Sequence, residues 1–412
     1  MADITLDLAA HYTSDLINNR GGPFWTTPLI GYAIHVDNAS FDLVYNKTID
    51  GGATWAGNNV LVAGTVFQFD SWADWQTEGD AGTVIHIACF DGDSENVLYV
   101  YLDTSDDSEG TDPIAACLGT GAFIPMPDRD YHDISITKAR GGNIAVAFRY
   151  ADDLDAYFYG FYTSPDGDAW TSRTDPWEAY DNFLLLFPGN EADNQDVWAT
   201  FWDRLAAADE ISLKTFDNSL DVWSAGTLIS ANMTANYEYL QMDGTIRLSD
   251  GHLIFAAWNL FNSAAADLMT WDINGEGSIV AKTNVLTDSA DSYLVSVFVN
   301  QANDDIYVAY TKGTSIGSLV TVFYQKSVNG GANWDGQVAM QANAEDDERW
   351  ISAGAIKVAW GGKFQPVWYN DDLHDIFTNS DNGITIDGPP PPPPTIIPST
   401  NMGSKMVAAG LI

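Results

Sequence analysis

The chain has 412 residues and a formal net charge of −40, from 57 acidic and 17 basic side chains. Such a field repels nucleic-acid backbones and anionic membrane surfaces, so neither is an expected partner. Aromatic residues make up 13% of the sequence and 35 residues are glycine, a mix that suits an all-β protein with many turns.

In chain order, Met1-Ala-Asp-Ile-Thr-Leu-Asp7 carries neither a basic region nor an apolar run, so no export signal is read there. No later stretch reaches the roughly 20 apolar residues of a membrane span. Residues 1–19 are taken as an N-terminal segment in which Asp3–Leu8 alternates like a strand. After a second alternating run, Phe41–Lys47, comes Thr48-Ile-Asp50-Gly51-Gly52-Ala-Thr-Trp55. The pattern predicts a sealed hairpin turn. Asp50 bonds the backbone ahead of it, the glycines accept positive φ, and Trp55 anchors the turn in an apolar layer.

The same pattern returns as Ser327-Val-Asn329-Gly330-Gly331-Ala-Asn-Trp334, more loosely as Thr163-Ser-Pro-Asp166-Gly167-Asp-Ala-Trp170, and in worn form as Thr378-Asn-Ser-Asp-Asn-Gly-Ile-Thr385. These stretches resemble the Asp-box (BNR) repeat of sialidase-like β-propellers. The resemblance implies that each box joins the third and fourth strands of a blade. It also implies that Thr48, Asp50, Gly52, Trp55, Asp166, Gly167, Trp170, Ser327, Asn329, Gly331 and Trp334 are structural rather than catalytic.

Seven apolar strands recur, centred near His35, His86, Val146, Ala199, Phe255, Val308 and Val367, about 51 to 60 residues apart. Each has one strand before it and alternating strands after it. The pattern predicts an all-β, seven-bladed propeller of four-stranded antiparallel blades over residues 20–388, with a six-bladed ring plus a divergent sheet as the alternative. The last blade ends near Ile384–Ile386, and the N-terminal strand is expected to close the ring beside it. Beyond it, residues 389–394 are an unbroken proline run, a stiff stalk of about 3 Å per residue. Residues 395–412, whose final stretch is apolar with one charge, read either as a disordered tail or as a docking peptide for a protein partner in a larger assembly.

A candidate binding face follows from the inner-strand approaches, which are rich in aromatics and acids: Trp72, Asp74 and Trp75; Asp130 and Tyr131; Tyr180 and Asp181; Tyr237, Glu238 and Tyr239; Asp347, Arg349 and Trp350. Aromatic faces beside carboxylates suit sugars, and a carboxylate pair at the right spacing would suit glycoside cleavage. The alternative is packing between blades. Asp91, Asp93, Asp103 and Asp107 are weak candidates for Ca²⁺, although neither acidic loop matches an EF-hand. The six histidines show no ligand spacing for zinc, no other cofactor motif is present, and Cys89 reads as a buried thiol. Three glycosylation sequons, at Asn38, Asn46 and Asn232, lack a supporting export signal.

Working sialidases carry an arginine triad, a Tyr/Glu pair from separate blades and an Arg-Ile-Pro motif. Here Arg20 is followed by Gly-Gly-Pro, Tyr237 and Glu238 are adjacent, and only eight arginines exist. The resemblance therefore covers the fold and stops short of the active site, leaning against an enzyme. In layout the chain also resembles virion appendage proteins of tailed bacteriophages, implying a virion or extracellular surface location; a cytoplasmic one is the alternative. Two functions remain: a non-catalytic display or adhesion propeller anchored by its tail, and a glycoside-cleaving enzyme acting on a neutral glycan.

Overall fold

The computed structural model describes residues 3–7, 10, 20–94, 96–116, 133–151, 157–177, 181–189, 195–205, 208–230, 242–259, 266–288, 294–313, 319–340, 345–346, 348–357, 362–370, 373, 375–379 and 384–386. They form a seven-bladed propeller of mostly four-stranded antiparallel blades. From the axis outward, blade 1 is Phe24–Trp25, with Ala355–Ile356 in parallel along its inner edge, then Gly31–Val36, Leu43–Thr48 and Asn59–Val62. Blade 2 is Val66–Ala73, Val84–Asp91, Asn96–Asp103 and Ser108–Ala116. Blade 3 is Asp133–Lys138, Ile144–Ala151, Tyr157–Ser164 and Thr171–Ser172. Blade 4 starts with Asp181–Pro188, Val197–Leu205 and Ala208–Asp217, and blade 5 with Met242–Arg247, His252–Asn259 and Ala266–Ile273. Blade 6 starts with Val295–Asn300, Asp305–Gly313 and Leu319–Ser327, and blade 7 with Glu348–Ser352, Val367–Asn370 and Asp375–Thr378. Seven such sheets leave no place for the six-bladed alternative.

The seven recurring apolar runs are the second strands. Each lies in mid-blade with a neighbouring blade against either face, so Ile85–Asp91, for example, is buried without a break. The seventh run is the exception. Pro366 has no N–H for a ladder, so Gly362–Phe364 pairs with Ile384–Ile386 while Val367–Asn370 takes the blade position.

The outermost strand of blade 7 comes from the other end of the chain. Ile4–Asp7 runs antiparallel along Asp375–Thr378, not beside Ile384–Ile386. Asn379 Nδ2 donates to Asp3 Oδ1 at 2.6 Å, and Asp7 Oδ2 meets His35 Nε2 of blade 1 at 2.7 Å.

Three boxes close as expected. Gly52 N–H donates to Thr48 Oγ1 at 2.9 Å while Asp50 Oδ1 accepts Thr54 N–H at 2.9 Å. Ser327, Gly331, Asn329 and Asn333 repeat both bonds at 2.9 Å. In blade 3 the hydroxyl comes from Ser164, not Thr163, and the turn is one residue shorter: Gly167 N–H reaches Ser164 Oγ at 2.9 Å. The worn copy departs further, because Thr378 Oγ1 donates to Pro366 O instead. Each box presses on the preceding blade. Trp170 lies 5.5 Å from the Tyr99 ring of blade 2, and Gln365 of blade 7 covers the box of blade 1 by donating to Gly51 O at 2.6 Å.

Gly167 has φ of +90°, and a Cβ there would overlap the Tyr99 ring. Gly167→Ala is expected to cost about 1–3 kcal/mol in urea unfolding. Gly57→Ala, whose Cβ would meet nothing within 4 Å, should change stability by under about 0.5 kcal/mol.

Candidate functional site on the axis and the seam between blades 3 and 4

Apart from Ala355–Ile356, which follows the innermost strand of blade 7 and pairs in parallel with Phe24–Trp25 of blade 1, the described innermost strands of adjacent blades do not pair with one another. Their backbone donors therefore need side-chain acceptors from the neighbouring blade. One level of the propeller supplies them. Asp70 Oδ2 accepts Ile136 N–H at 2.9 Å, and Ser135 Oγ accepts Leu186 N–H at 2.9 Å. Asp243 Oδ2 accepts Val297 N–H at 2.9 Å, Ser296 Oγ accepts Ala353 N–H at 3.0 Å, and Ser352 Oγ accepts Gly21 N–H at 3.2 Å. Beside these residues the second strands of blades 2, 3, 5 and 6 carry alanine, at 88, 147, 256 and 309, which lets the blades approach closely.

Arg20 links blade 1 to blade 2. Its carbonyl accepts from Ser71 Oγ, and its guanidinium forms a bidentate pair with Asp70. The same guanidinium reaches Ser135 Oγ at 3.0 Å, Ile136 O at 2.7 Å and Leu186 O at 3.1 Å, beneath the rings of Trp72 and Phe187. One side chain thus ties four blades. Blade 4 breaks the series: it places Leu185 at this level, and Gly244 N–H turns to Oδ1 of its own neighbour Asp243 at 2.8 Å.

A second group lies one side-chain step toward the face that carries the blade-to-blade connections. Asp133, Arg149 and Tyr159 are cross-strand neighbours on successive strands of blade 3. Asp133 Oδ2 accepts from Leu184 N–H of blade 4, while Oδ1 meets no donor among the described residues. Burial pushes this carboxyl up to about 7, against the pull of Arg149. Trp177, on the connection into blade 4, has the Arg149 guanidinium over its ring at 5.7 Å and lies 5.7 Å from both Phe201 and Tyr159. Tyr159 is 40% exposed. The arrangement offers an aromatic platform at the mouth of a seam, with a cation and a carboxyl behind it. Sequence reasoning missed this group, although the Gly141-Gly142 turn fixes the Asp133–Arg149 register.

The predicted binding residues divide. Trp72 is the penultimate residue of the innermost strand of blade 2 and Asp74 and Trp75 follow the strand, so all three lie toward the box face, opposite the connections. Trp72, Trp75 and Trp350 are buried in the core, not surface platforms, because neighbouring blades close over them. Asp74 is buried too, accepting His86 Nε2 at 2.8 Å, Lys138 Nζ at 2.5 Å and Val84 N–H at 2.9 Å. Despite its burial, those partners hold its carboxyl well below the usual range. Asp130, Tyr131, Tyr180, Tyr237, Glu238, Tyr239 and Asp347 lie outside the described residues, as do the side chains of Asp181 and Arg349 and residues 389–412.

The acidic loops hold turns together. Asp91 accepts Asp93 N–H at 3.0 Å, Asp93 accepts Thr65 Oγ1 at 3.0 Å, and Asp103 accepts Ser105 N–H at 2.9 Å. Asp107 binds Lys47 Nζ at 2.6 Å and the Tyr32 hydroxyl at 2.7 Å. Among the described residues no group of three or more His, Cys, Asp or Glu is placed to hold a metal ion. Cys89 is a buried free thiol, pushed upward in pKa by its burial.

No protein-family model and no curated protein sequence matches the chain. Its fold is similar to that of a polysaccharide lyase described as an ulvan lyase, with a TM-score of 0.54 and 12% identity over 92% of this chain and 94% of the other. A Hadza microbial sialidase gives a TM-score of 0.43 and 9% identity over 84% and 75% of the two chains. The lectin SapL1, in complex with α-methyl fucoside, gives 0.45 and 15% over 81% and 99%.

Removing one partner of the Arg20–Asp70 pair strands a buried charge. Asp70→Ala is expected to lose on the order of 3–5 kcal/mol in urea unfolding. Asp168→Ala, in an exposed box loop, is expected to leave the unfolding midpoint in place.

Proposed function

We propose that the chain is a non-catalytic display and adhesion propeller that presents a glycan- or receptor-binding face at its connection end. The observation that carries this reading is how the ionisable groups around the axis are used. Asp70, Asp243 and Arg20 are buried and bonded to strand backbone or to each other, and Asp74 is locked by His86 and Lys138. Among the described residues they serve the seams between blades and leave no solvent-open carboxylate pair on the axis. Among the described residues, a surface feature available to a ligand is the 40% exposed ring of Tyr159 against Trp177, which suits the C–H face of a neutral sugar.

Attachment through residues 395–412, held away by the proline stalk, completes the proposal, and a virion appendage is the assembly that this layout suits. What supports it is the apolar character of that segment and a propeller whose strong negative charge disfavours nucleic acid and membrane alike.

One observation favours the enzymatic alternative. A carboxyl held near pH 7 beside a guanidinium, as at Asp133, is the kind of group that general acids use.

Three measurements separate these readings. Tyr159→Ala should weaken glycan-array binding by about tenfold, since one stacked ring contributes roughly 1–2 kcal/mol, with the unfolding midpoint unchanged. The purified protein should bind polysaccharides without releasing reducing sugar; steady release that disappears in Asp133→Asn would establish the enzyme instead. Deleting residues 389–412 should leave the propeller folded and abolish its incorporation into the native assembly.

A further inference from the structure

The third strand of blade 3, Tyr157–Ser164, opens on three aromatic residues in succession. In the other six blades the first two positions of the third strand are aliphatic or polar. Side chains alternate along a strand, so Phe158 and Tyr159 stand on opposite faces of one sheet. The contacts agree. Tyr159 meets Trp177, on the connection into blade 4, at 5.7 Å. Phe158 lies opposite Tyr150 of the second strand, with the two rings stacked at 5.0 Å and 14°. Tyr150 in turn meets Phe90 of blade 2 at 6.2 Å.

Each of the two rings is the outer member of a stack that begins in the core. Tyr150 is buried and Phe158 beyond it is half-buried; Trp177 is buried and Tyr159 beyond it is 40% exposed. A ring already fixed by a buried partner loses little side-chain freedom when a ligand meets its remaining surface. Sheets pack about 10 Å apart, so rings on the two faces of one sheet are separated by roughly that distance. A single pyranose is too short to touch both, whereas a short run of linked sugars is long enough.

We propose that the connection end of blade 3 is a two-subsite platform for an uncharged oligosaccharide, which lies across the end of the sheet with one sugar against Tyr159 and another against Phe158. The proposal rests on the glycan-binding reading above and adds the length and charge of the ligand: a stretch of neutral chain rather than one terminal sugar. Length follows from the two rings. Charge follows from composition, because 57 acidic against 17 basic side chains repel a uronic acid chain on approach. Two weak contacts on one ligand reinforce each other, since the first holds the second at high effective concentration.

The test is calorimetric titration of the full chain with size-graded ladders of neutral gluco-, manno- and galacto-oligosaccharides, from a single sugar to a hexasaccharide, beside a ladder of uronic acid oligomers. For the neutral ladder that binds, the association constant should rise about tenfold from monosaccharide to tetrasaccharide and then level off. Phe158→Leu keeps an apolar contact with Tyr150 but lacks a ring, so it should abolish the rise and leave the monosaccharide affinity in place. Tyr159→Ala should weaken binding at every length. Leu220→Ala, in an exposed turn of blade 4, should change neither. An association constant independent of length, a rise that survives in Phe158→Leu, or tighter binding of the uronic ladder overturns this inference and leaves Tyr159 as a single-sugar site. If no ladder binds, the glycan-binding reading falls with it. Should Phe158→Leu fail to fold, the length dependence of the wild type decides.

Discussion

A ring of sheets whose described ladder between blades is confined to Ala355–Ile356 along Phe24–Trp25 must be held at its centre by side chains, and here the buried Arg20–Asp70 pair is the hub. Arg20 and Asp70 satisfy each other, and each also satisfies backbone groups of further blades. A charged pair is costly to desolvate, and its value here lies in geometry more than in net energy. The planar guanidinium fork places donors at Asp70, Ser135, Ile136 and Leu186 together, a placement that an apolar plug would not specify.

That constraint explains how so acidic a chain uses its few cations. Lys47 answers Asp107, Lys138 answers Asp74 and Asp80, Arg247 answers Asp250 and Asp272, and Lys326 answers Asp305. Several of these pairs cross from one blade to the next, as Lys47 does from blade 1 to blade 2 and Lys138 from blade 3 to blade 2. Cations engaged in this way leave the outer surface strongly anionic, which keeps the molecule soluble and sets the sign of any charged partner.

Much of the fold was legible in the sequence because its signals are local. The period of the second strands, the box glycines and the box tryptophans lie within a few residues of one another, and each has a direct backbone consequence. The seventh repeat was harder because Pro366 interrupts an otherwise apolar run. The binding residues were read less well. Trp72 and Trp75 precede a recurrent apolar run just as true connections do. Only the position of the innermost strand, Val66–Ala73, shows that Trp72 lies near its far end and Trp75 just beyond it, opposite the connections. The Asp133–Arg149–Tyr159 row was available in principle, since a glycine turn at 141–142 fixes which residues face each other. What no local pattern reveals is that Trp177 of the connection packs over that row, because the contact joins two blades. Arg20 was noticed as a departure from a known motif, but its part as the axial tie depends on residues 50, 115 and 166 positions away.

The pairing of Ile4–Asp7 with Asp375–Thr378 sets an order on assembly. Ile4–Asp7 waits for a partner some 370 residues downstream, so until that partner is made the circle stays an open arc. Long-range closure of this kind is slow and leaves the outer edge of the final sheet available to other chains. Covering that edge is therefore the last step of closure, and the strand Ile4–Asp7 is the element that performs it.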